Sequence, residues 1–261
     1  REESALLRAM ARLQHVDDRT RFERWLGWLR QDSPPAVAPV ESWEGRLQLM
    51  LLAAAVDLRI AIDDREEALA SIWSYPAVRR ELVQLLEALE DRTRRLTWPG
   101  ELADGVPLHV HGTYALAEIM AGYGITSRGH LMAPREGVRW DEASQTDLLF
   151  VTLHKSEDEF APQTMCDDYP INQRQFHWES QSNTSEASET GQRYIHHQER
   201  GSRVVLFARH YKKRGGLTQP YVCLGNVRYA RHQSERPMQI VWTLERPMPA
   251  SFYLDAKVAA G

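Results

Sequence analysis

Cysteine is scarce in this sequence. Only Cys166 and Cys223 occur in 261 residues, which is too few for a disulfide scaffold or an all-cysteine zinc site. The sequence also lacks an uninterrupted apolar stretch of about 18 residues, which excludes a membrane-spanning helix. There is no basic-then-apolar leader, and the chain begins at Arg1 instead of a methionine. We therefore expect an excised fragment or a processed chain, located in the reducing cytoplasm.

The motifs of common enzymes are missing as well. The sequence has no phosphate-binding loop, no dinucleotide-binding glycine pattern and no nucleophile elbow. His154-Lys155 lacks the spacing and the downstream aspartate of a phospholipase-D nuclease motif. We therefore expect no catalytic centre in this chain.

Candidate metal ligands are few and scattered. His109 and His111 would share one face of a strand, as some metal sites require, but no third and fourth ligands lie near them in the sequence. The acidic residues 157–159 and 167–168 could bind a divalent cation, although such clusters next to turns are usually solvated. The sequence predicts no metal and no cofactor.

The first hundred residues have helical periodicity. Asp17 and Asp18 can cap a run whose apolar residues recur at helical spacing, and Ser33-Pro34-Pro35 ends it. Three more helices are predicted, over about residues 47–58, 64–75 and 76–89. These hundred residues hold 15 basic residues, all arginine, against 17 acidic ones. The pattern predicts a helical bundle over residues 1–98, and we find no catalytic motif in this part of the sequence.

After this bundle the pattern changes. Turn-forming residues at 97–100 and 104–107 indicate a domain boundary, and a second domain is expected over residues 106–261. A short helix ending before Gly124 is followed by stretches typical of strands, at residues 147–153, 203–209, 221–224 and 238–244. The predicted fold class is α+β, with a helical bundle followed by a partly closed β-barrel or curled sheet with peripheral helices.

Charge is unevenly distributed in the second half. Residues 141–189 hold eleven acidic and two basic residues, a net charge of −9, whereas residues 193–246 hold eleven basic and three acidic ones, a net charge of +8. On separate faces, the basic block would attract phosphates, as in a nucleic-acid-binding protein. On neighbouring strands, the two blocks would neutralise each other.

The segment 167–184 interleaves aromatic rings with carboxylates, amides and hydroxyls. In a strand, Phe176 and Trp178 would point to the same side, either into the core or into a ligand pocket. An extruded nucleobase needs flat apolar faces for stacking and polar groups for its Watson–Crick edge, and a carboxylate suits the exocyclic amine of cytosine. The candidate pocket residues are Asp168, Tyr169, Phe176, Trp178, Ser180, Gln181, Ser182 and Thr184.

Phosphate contacts are expected from the basic block. The candidates are Arg193, Lys212, Lys213 and Arg214. Arg214-Gly215-Gly216 at the end of a strand could reach into a groove of the nucleic acid, or could simply form a hairpin turn.

Four sequence strings resemble a known family. They are Thr146–Ser156, Phe176–Ser182, Thr190–His197 and Arg236–Pro249, and together they look like the C-terminal region of SauUSI-type proteins. The resemblance is strong over residues 107–250 and weaker over residues 1–96. In that family a phospholipase-D-like nuclease and a superfamily-II helicase precede this region, and their motifs are missing here.

The resemblance implies type IV restriction, the cleavage of foreign DNA that carries 5-methyl- or 5-hydroxymethylcytosine. It also implies a helical coupler followed by a target-recognition domain similar to SRA/PUA-like base-flipping readers. The expected partners are double-stranded DNA with modified cytosine and the helicase and nuclease domains of a parent polypeptide. An RNA-binding module of the PUA-like class and a protein-interaction scaffold remain as alternatives.

Overall fold

The computed structural model describes residues 10–55, 61–127, 129–131, 137–154 and 168–258. By its internal contacts the chain divides into two compact units, residues 1–135 and 136–261. Residues 106–135 thus group with the helical unit. The predicted second domain begins at residue 106, and this domain boundary remains a prediction. Within the described residues, no helix has both the length and the apolarity that a membrane span requires.

The first unit is mainly helical, as predicted. Asp18 caps the first of the named helices, its side chain accepting a hydrogen bond from the Arg21 amide, and Gly124 ends the last one in the left-handed conformation at φ 68°. The α-helices are Arg19–Leu29, Trp43–Ala55, Arg65–Trp73, Pro76–Ala88 and Leu116–Tyr123; the 3-10 helices are Ile62–Asp64 and Glu90–Arg94; the short strands are β1 (Thr113–Tyr114), β2 (Thr126–Ser127) and β3 (His130–Leu131).

A cluster of charged side chains is buried among these helices. The Arg21 side chain has no exposed surface; its Nη1 donates to Glu118 Oε1 at 2.6 Å, and its Nε lies 2.9 Å from Asp18 Oδ2. Glu118 also pairs with His15. Arg21 lies 4.4 Å from the ring centroid of Tyr114. This buried ionic cluster joins the helix Arg19–Leu29 to the helix Leu116–Tyr123.

The second unit is a mixed sheet with helices beside it. Its strands, in spatial order, are β4 (Val138–Asp141), β5 (Thr146–His154), β8 (Arg203–Tyr211), β11 (Tyr221–Gln233), β12 (Gln239–Leu244), β7 (Gln175–Glu179) and β6 (Tyr169–Asn172). β5 and β8 run parallel, and the other neighbouring pairs are antiparallel. A small hairpin joins β9 (Lys213–Arg214) to β10 (Leu217–Thr218), and the helices are Glu189–Ile195 and Ala250–Val258.

This architecture confirms the α+β class but not a closed barrel. The order of the described strands ends at β4 on one side and at β6 on the other, so this part of the sheet is open. β11 is the longest strand: its first half pairs with β8 and its second half with β12. Bulges at Cys223/Gly225 and Tyr229/Arg231 interrupt its register, and such bulges increase local twist.

Candidate nucleic-acid interface

Phe176 and Trp178 point into the core. Phe176 is 0% exposed and Trp178 is 3% exposed. The Trp178 ring packs edge-to-face on Tyr194, with centroids 5.4 Å apart, and lies 6.2 Å from Trp242. The two rings do share one side of a strand, as predicted. The neighbouring strand β12 has apolar residues on the same side, and they belong to the same core cluster. The expectation that they line a ligand pocket is corrected: they are core residues.

Tyr169 lies on the opposite side of the sheet. Its position in β6 pairs with His177 in β7, and the two rings stack with centroids 4.7 Å apart and an interplanar angle of 12°. His177 is buried, whereas Tyr169 is 48% exposed. One face of the Tyr169 ring is therefore supported by an imidazole, and the residue keeps a large exposed surface.

The row that contains Tyr169 continues across the sheet. His177 pairs with Val241 in β12, and Val241 pairs with Arg231 in β11. Directly opposed residues of antiparallel strands point to the same side of a sheet. Arg231 is exposed and forms no ion pair with any residue that the structure describes. The row thus begins with an exposed ring and ends with an exposed guanidinium.

Amide side chains surround this row. Gln233 donates to Gln239 Oε1 at 2.9 Å, and Gln239 donates to Glu179 Oε1 at 2.7 Å. These contacts form a hydrogen-bonded chain across β11, β12 and β7. We call this side of the sheet the polar sheet face; its members are Tyr169, Gln175, His177, Glu179, Arg231, Gln233, Gln239, Val241 and Thr243.

Two of the remaining predicted pocket residues, Asp168 and Ser180, bond to backbone groups. Asp168 Oδ1 accepts a hydrogen bond from the Glu179 amide at 3.0 Å. Ser180 exchanges two hydrogen bonds of 2.9 Å with the Met238 backbone and is buried. Thr184 is also buried, and Gln181 Oε1 lies 3.3 Å from its hydroxyl and 3.4 Å from the Tyr194 hydroxyl. Ser182 is exposed.

Arg193 is partly buried and forms an ion pair within its own unit. Its Nε and Nη2 donate to the two carboxylate oxygens of Asp147 at 2.7 and 3.0 Å, and its guanidinium lies 4.3 Å from the Trp140 ring centroid. Burial raises the pKa of Asp147, and Arg193 opposes that shift. In this arrangement Arg193 stabilises a buried carboxylate, and its expected role as a phosphate contact has no support in the structure.

The other predicted phosphate contacts lie in the β9–β10 hairpin. Gly215 and Gly216 form its turn at φ 58° and 78°, left-handed values that favour glycine at both positions. Lys213 and Arg214 are exposed and make no ion pair within the described ranges, whereas Lys212 is half-buried. Leu217 is 54% exposed. We call residues 213–218 the basic hairpin.

The basic hairpin and the polar sheet face lie at opposite ends of β11. The hairpin immediately precedes Tyr221, whereas Arg231 and Gln233 are at the other end of the strand. At about 3.3 Å per residue, the 13 residues of β11 extend at most about 40 Å. Lys213 and Arg214 therefore precede one end of β11, and Arg231 and Gln233 lie at the other end.

Arg231 is the functional candidate that the sequence analysis did not single out. We predicted a strand only over residues 221–224, whereas the strand continues to residue 233 and contains Arg231. The side it faces depends on the bulge at Tyr229/Arg231 and on pairing with β12, and neither is visible in local sequence.

Comparisons with known proteins give a family and distant similarities to solved structures. A family model described as a domain of unknown function, DUF3427, matches residues 108–256. The DNA recognition domain of the cytosine modification-dependent restriction endonuclease LpnPI is 8% identical, with a TM-score of 0.32 over 56% of this chain and 74% of that one. A similarity of this size carries no argument about ligand or mechanism. No curated protein matches the chain.

Proposed function

Since this chain belongs to the DUF3427 family, whose description names no function, we propose one from its own residues. The chain is a DNA-recognition module that binds double-stranded DNA and reads 5-methyl- or 5-hydroxymethylcytosine by flipping the base out of the helix. It has no catalytic role of its own. In keeping with its resemblance to SauUSI-type proteins, it directs the helicase and nuclease of a parent polypeptide to modified foreign DNA.

The observation that carries this proposal is the row from Tyr169 to Arg231 on the polar sheet face. An exposed aromatic ring offers a stacking surface to an unstacked base, and such stacking contributes about 1–3 kcal/mol per base. Arg231 lies in the same row and supplies a positive charge for the adjacent phosphate. The neighbouring glutamine amides can both donate and accept hydrogen bonds at a base edge.

The basic hairpin supports the same proposal from the other end of β11. Lys213 and Arg214 have no acidic partner within the described chain, so their charges are available to phosphates. The separation of at most about 40 Å is comparable with one turn of B-DNA, about 34–36 Å. A single duplex is therefore long enough to contact both ends of the strand. Such backbone contacts position the protein but carry no sequence information.

Recognition of the modification must come from the base. Burying one methyl group contributes only about 0.8 kcal/mol, which is about a fourfold preference. A stronger preference for 5-methylcytosine requires a close fit around the flipped base or easier extrusion of that base.

The test is a binding titration with three otherwise identical duplexes that contain plain, 5-methylated or 5-hydroxymethylated cytosine, and with a matched RNA duplex. We expect Tyr169→Ala to weaken modified DNA selectively. Arg231→Ala removes a phosphate contact and should weaken all duplexes about equally. Tyr211→Ala is the matched control, because Tyr211 is also exposed, at 41%, but lies at the hairpin end. It should leave the preference unchanged.

The double variant Lys213→Ala/Arg214→Ala tests the basic hairpin. It should weaken all duplexes equally and reduce the salt slope of the binding constant by about two if both side chains contact phosphates. Arg19→Ala/Arg24→Ala removes the same charge from arginines already paired with glutamates and should have little effect. Absence of DNA binding at low salt, preferential binding of RNA, an unchanged preference in Tyr169→Ala, or unchanged DNA binding in Arg231→Ala would each overturn the proposal.

A further inference from the structure

Three potential metal ligands converge where the β11–β12 turn meets the loop that precedes the helix Glu189–Ile195. Glu186 lies in that loop, His232 lies near the end of β11, and Glu235 lies in the turn. One ligand atom from each residue, an imidazole nitrogen or a carboxylate oxygen, lies within 4.8 Å of the other two. His232 and Glu235 lie close together in one hairpin, and the tertiary fold brings Glu186 to them from a distant part of the sequence.

The imidazole of His232 is oriented by a neighbour. Its Nδ1 lies 2.6 Å from the Tyr229 hydroxyl, and its Nε2 faces Glu186, with 3.5 Å between Nε2 and Oε2. Two ligands bound about 2.0–2.1 Å from a tetrahedral ion are themselves about 3.3–3.4 Å apart. The 3.5 Å separation is long for a hydrogen bond but close to the spacing that a shared ion would impose. A hydrogen bond that fixes the second ring nitrogen is also typical of metal-bound histidines.

The charge balance at this place favours a cation. The backbone amide of Glu186 lies 3.3 and 3.0 Å from the two carboxylate oxygens of Glu235, which brings the two acidic residues together. Among the described residues, neither carboxylate forms an ion pair with a lysine or arginine. Two neighbouring carboxylates with no lysine or arginine between them repel each other, and a divalent ion held together with His232 would neutralise both.

We propose that Glu186, His232 and Glu235 form a binding site for a divalent transition metal of the Zn²⁺ type. The mixed nitrogen and oxygen donors suit such an ion better than Ca²⁺ or Mg²⁺, which prefer oxygen ligands. Three protein ligands leave a position for water. The bound ion connects the 181–188 loop to the β11–β12 turn, and this site is independent of the proposed DNA contacts of Tyr169.

The site is tested by titrating the full chain with Zn²⁺ in competition with a chromophoric chelator, and with Co²⁺ to record the d–d absorption of the bound ion. We expect one ion per chain. His232→Ala, Glu186→Gln and Glu235→Gln should each weaken binding at least about tenfold and abolish the Co²⁺ spectrum. Tyr229→Phe, which removes the orienting hydroxyl, should weaken binding about tenfold and retain the spectrum.

Two controls separate this site from adventitious binding. His196 contacts Glu199, three residues further along the chain, at 3.0 Å, so His196→Ala removes a histidine from a two-residue pair and should leave binding unchanged. Cys166→Ser should also leave it unchanged. Circular dichroism establishes that each variant is folded. The proposal is overturned if the wild-type chain binds no Zn²⁺ at about 1 mM, an affinity limit of about −4 kcal/mol, or if folded His232→Ala and Glu235→Gln bind as well as the wild type.

Discussion

The two compact units bury different kinds of side chains. In residues 1–135, the buried ionic cluster places Arg21 and Glu118 out of contact with water, joined directly at 2.6 Å. In residues 136–261, the main apolar cluster combines aliphatic side chains with the rings of Phe176, Trp178 and Trp242. Charges in the first interior stabilise only when every partner is present, whereas rings in the second stabilise through the area they remove from water.

This difference predicts different responses to mutation and to acid. Loss of one charged partner leaves an uncompensated buried charge, and its cost depends on pH. Loss of one ring leaves a cavity, and the free-energy cost of that cavity does not depend on pH. The first unit should therefore be the acid-sensitive one. Four measurements of unfolding free energy, ordered from the largest expected effect to the smallest, test this comparison.

Arg21→Ala should have the largest effect. It leaves the carboxylates of Asp18 and Glu118 buried without their common partner, and breaking such a pair costs about 3–5 kcal/mol. Urea unfolding measures the loss, and Arg19→Ala, which removes an exposed arginine paired with Glu23, provides the control. A loss under about 1 kcal/mol for Arg21→Ala would contradict the role of the cluster.

Phe176→Ala should destabilise the second unit by a comparable amount, about 3–5 kcal/mol, because it creates a cavity in the ring cluster. The loss should be the same at pH 7 and pH 4. Tyr169→Ala, on the exposed side of the same hairpin, should cost only about 1 kcal/mol, through the stacking on His177. Equal losses for the two variants would mean that Phe176 is not in the core.

Glu118→Gln should destabilise the protein by a few kcal/mol at pH 7, and this loss should shrink in acid. Burial alone would raise the pKa of Glu118, but His15 and Arg21 together lower it from 4.5 to about 2. A lowered pKa means that the ionised side chain stabilises the fold fully above about pH 4.5 and loses this contribution as the pH falls towards 2.

Urea unfolding of Glu118→Gln and of the wild type across this range tests the sign. The pKa of Asp17 is raised by burial, but Asp17 is present in both proteins and its effect largely cancels in the difference. A difference that grows as the pH falls would contradict the assignment.

Arg193→Ala should cost about 2 kcal/mol, since Asp147 would stay buried without its bidentate partner. The double variant Arg193→Ala/Asp147→Asn should recover part of this loss. A large change in the salt dependence of DNA binding in Arg193→Ala, with stability unchanged, would restore the phosphate role predicted from the sequence.

The helices and strands were predictable where local chemistry defines them. Pro76 begins a helix as expected, Gly124 ends another, and the β-branched runs beginning at residues 147 and 203 are strands. The order of strands was not predictable, because the insertion of β8 between β5 and β11 depends on contacts between distant parts of the chain.

The candidate site was predictable only in part. Alternation correctly placed Phe176 and Trp178 on one side and His177 on the other, but it could not tell which side faces the apolar cluster. That is decided by Trp242 and its neighbours in β12. The ion pair of Arg193 was missed for the same reason, because its partner Asp147 lies on a strand that is far away in the sequence.

The bulge at Tyr229/Arg231 also allows the curvature of β11 to be changed without changing the sides to which Tyr229 and Arg231 point. Tyr229 pairs with Trp242 and Arg231 with Val241, so Ala230 is the extra residue that lets these side chains face opposite sides. Deleting Ala230 would preserve both orientations and straighten the strand. The same side chains would then lie on a flatter surface. A loss of DNA affinity in this variant would show that binding to the duplex requires the curvature of β11.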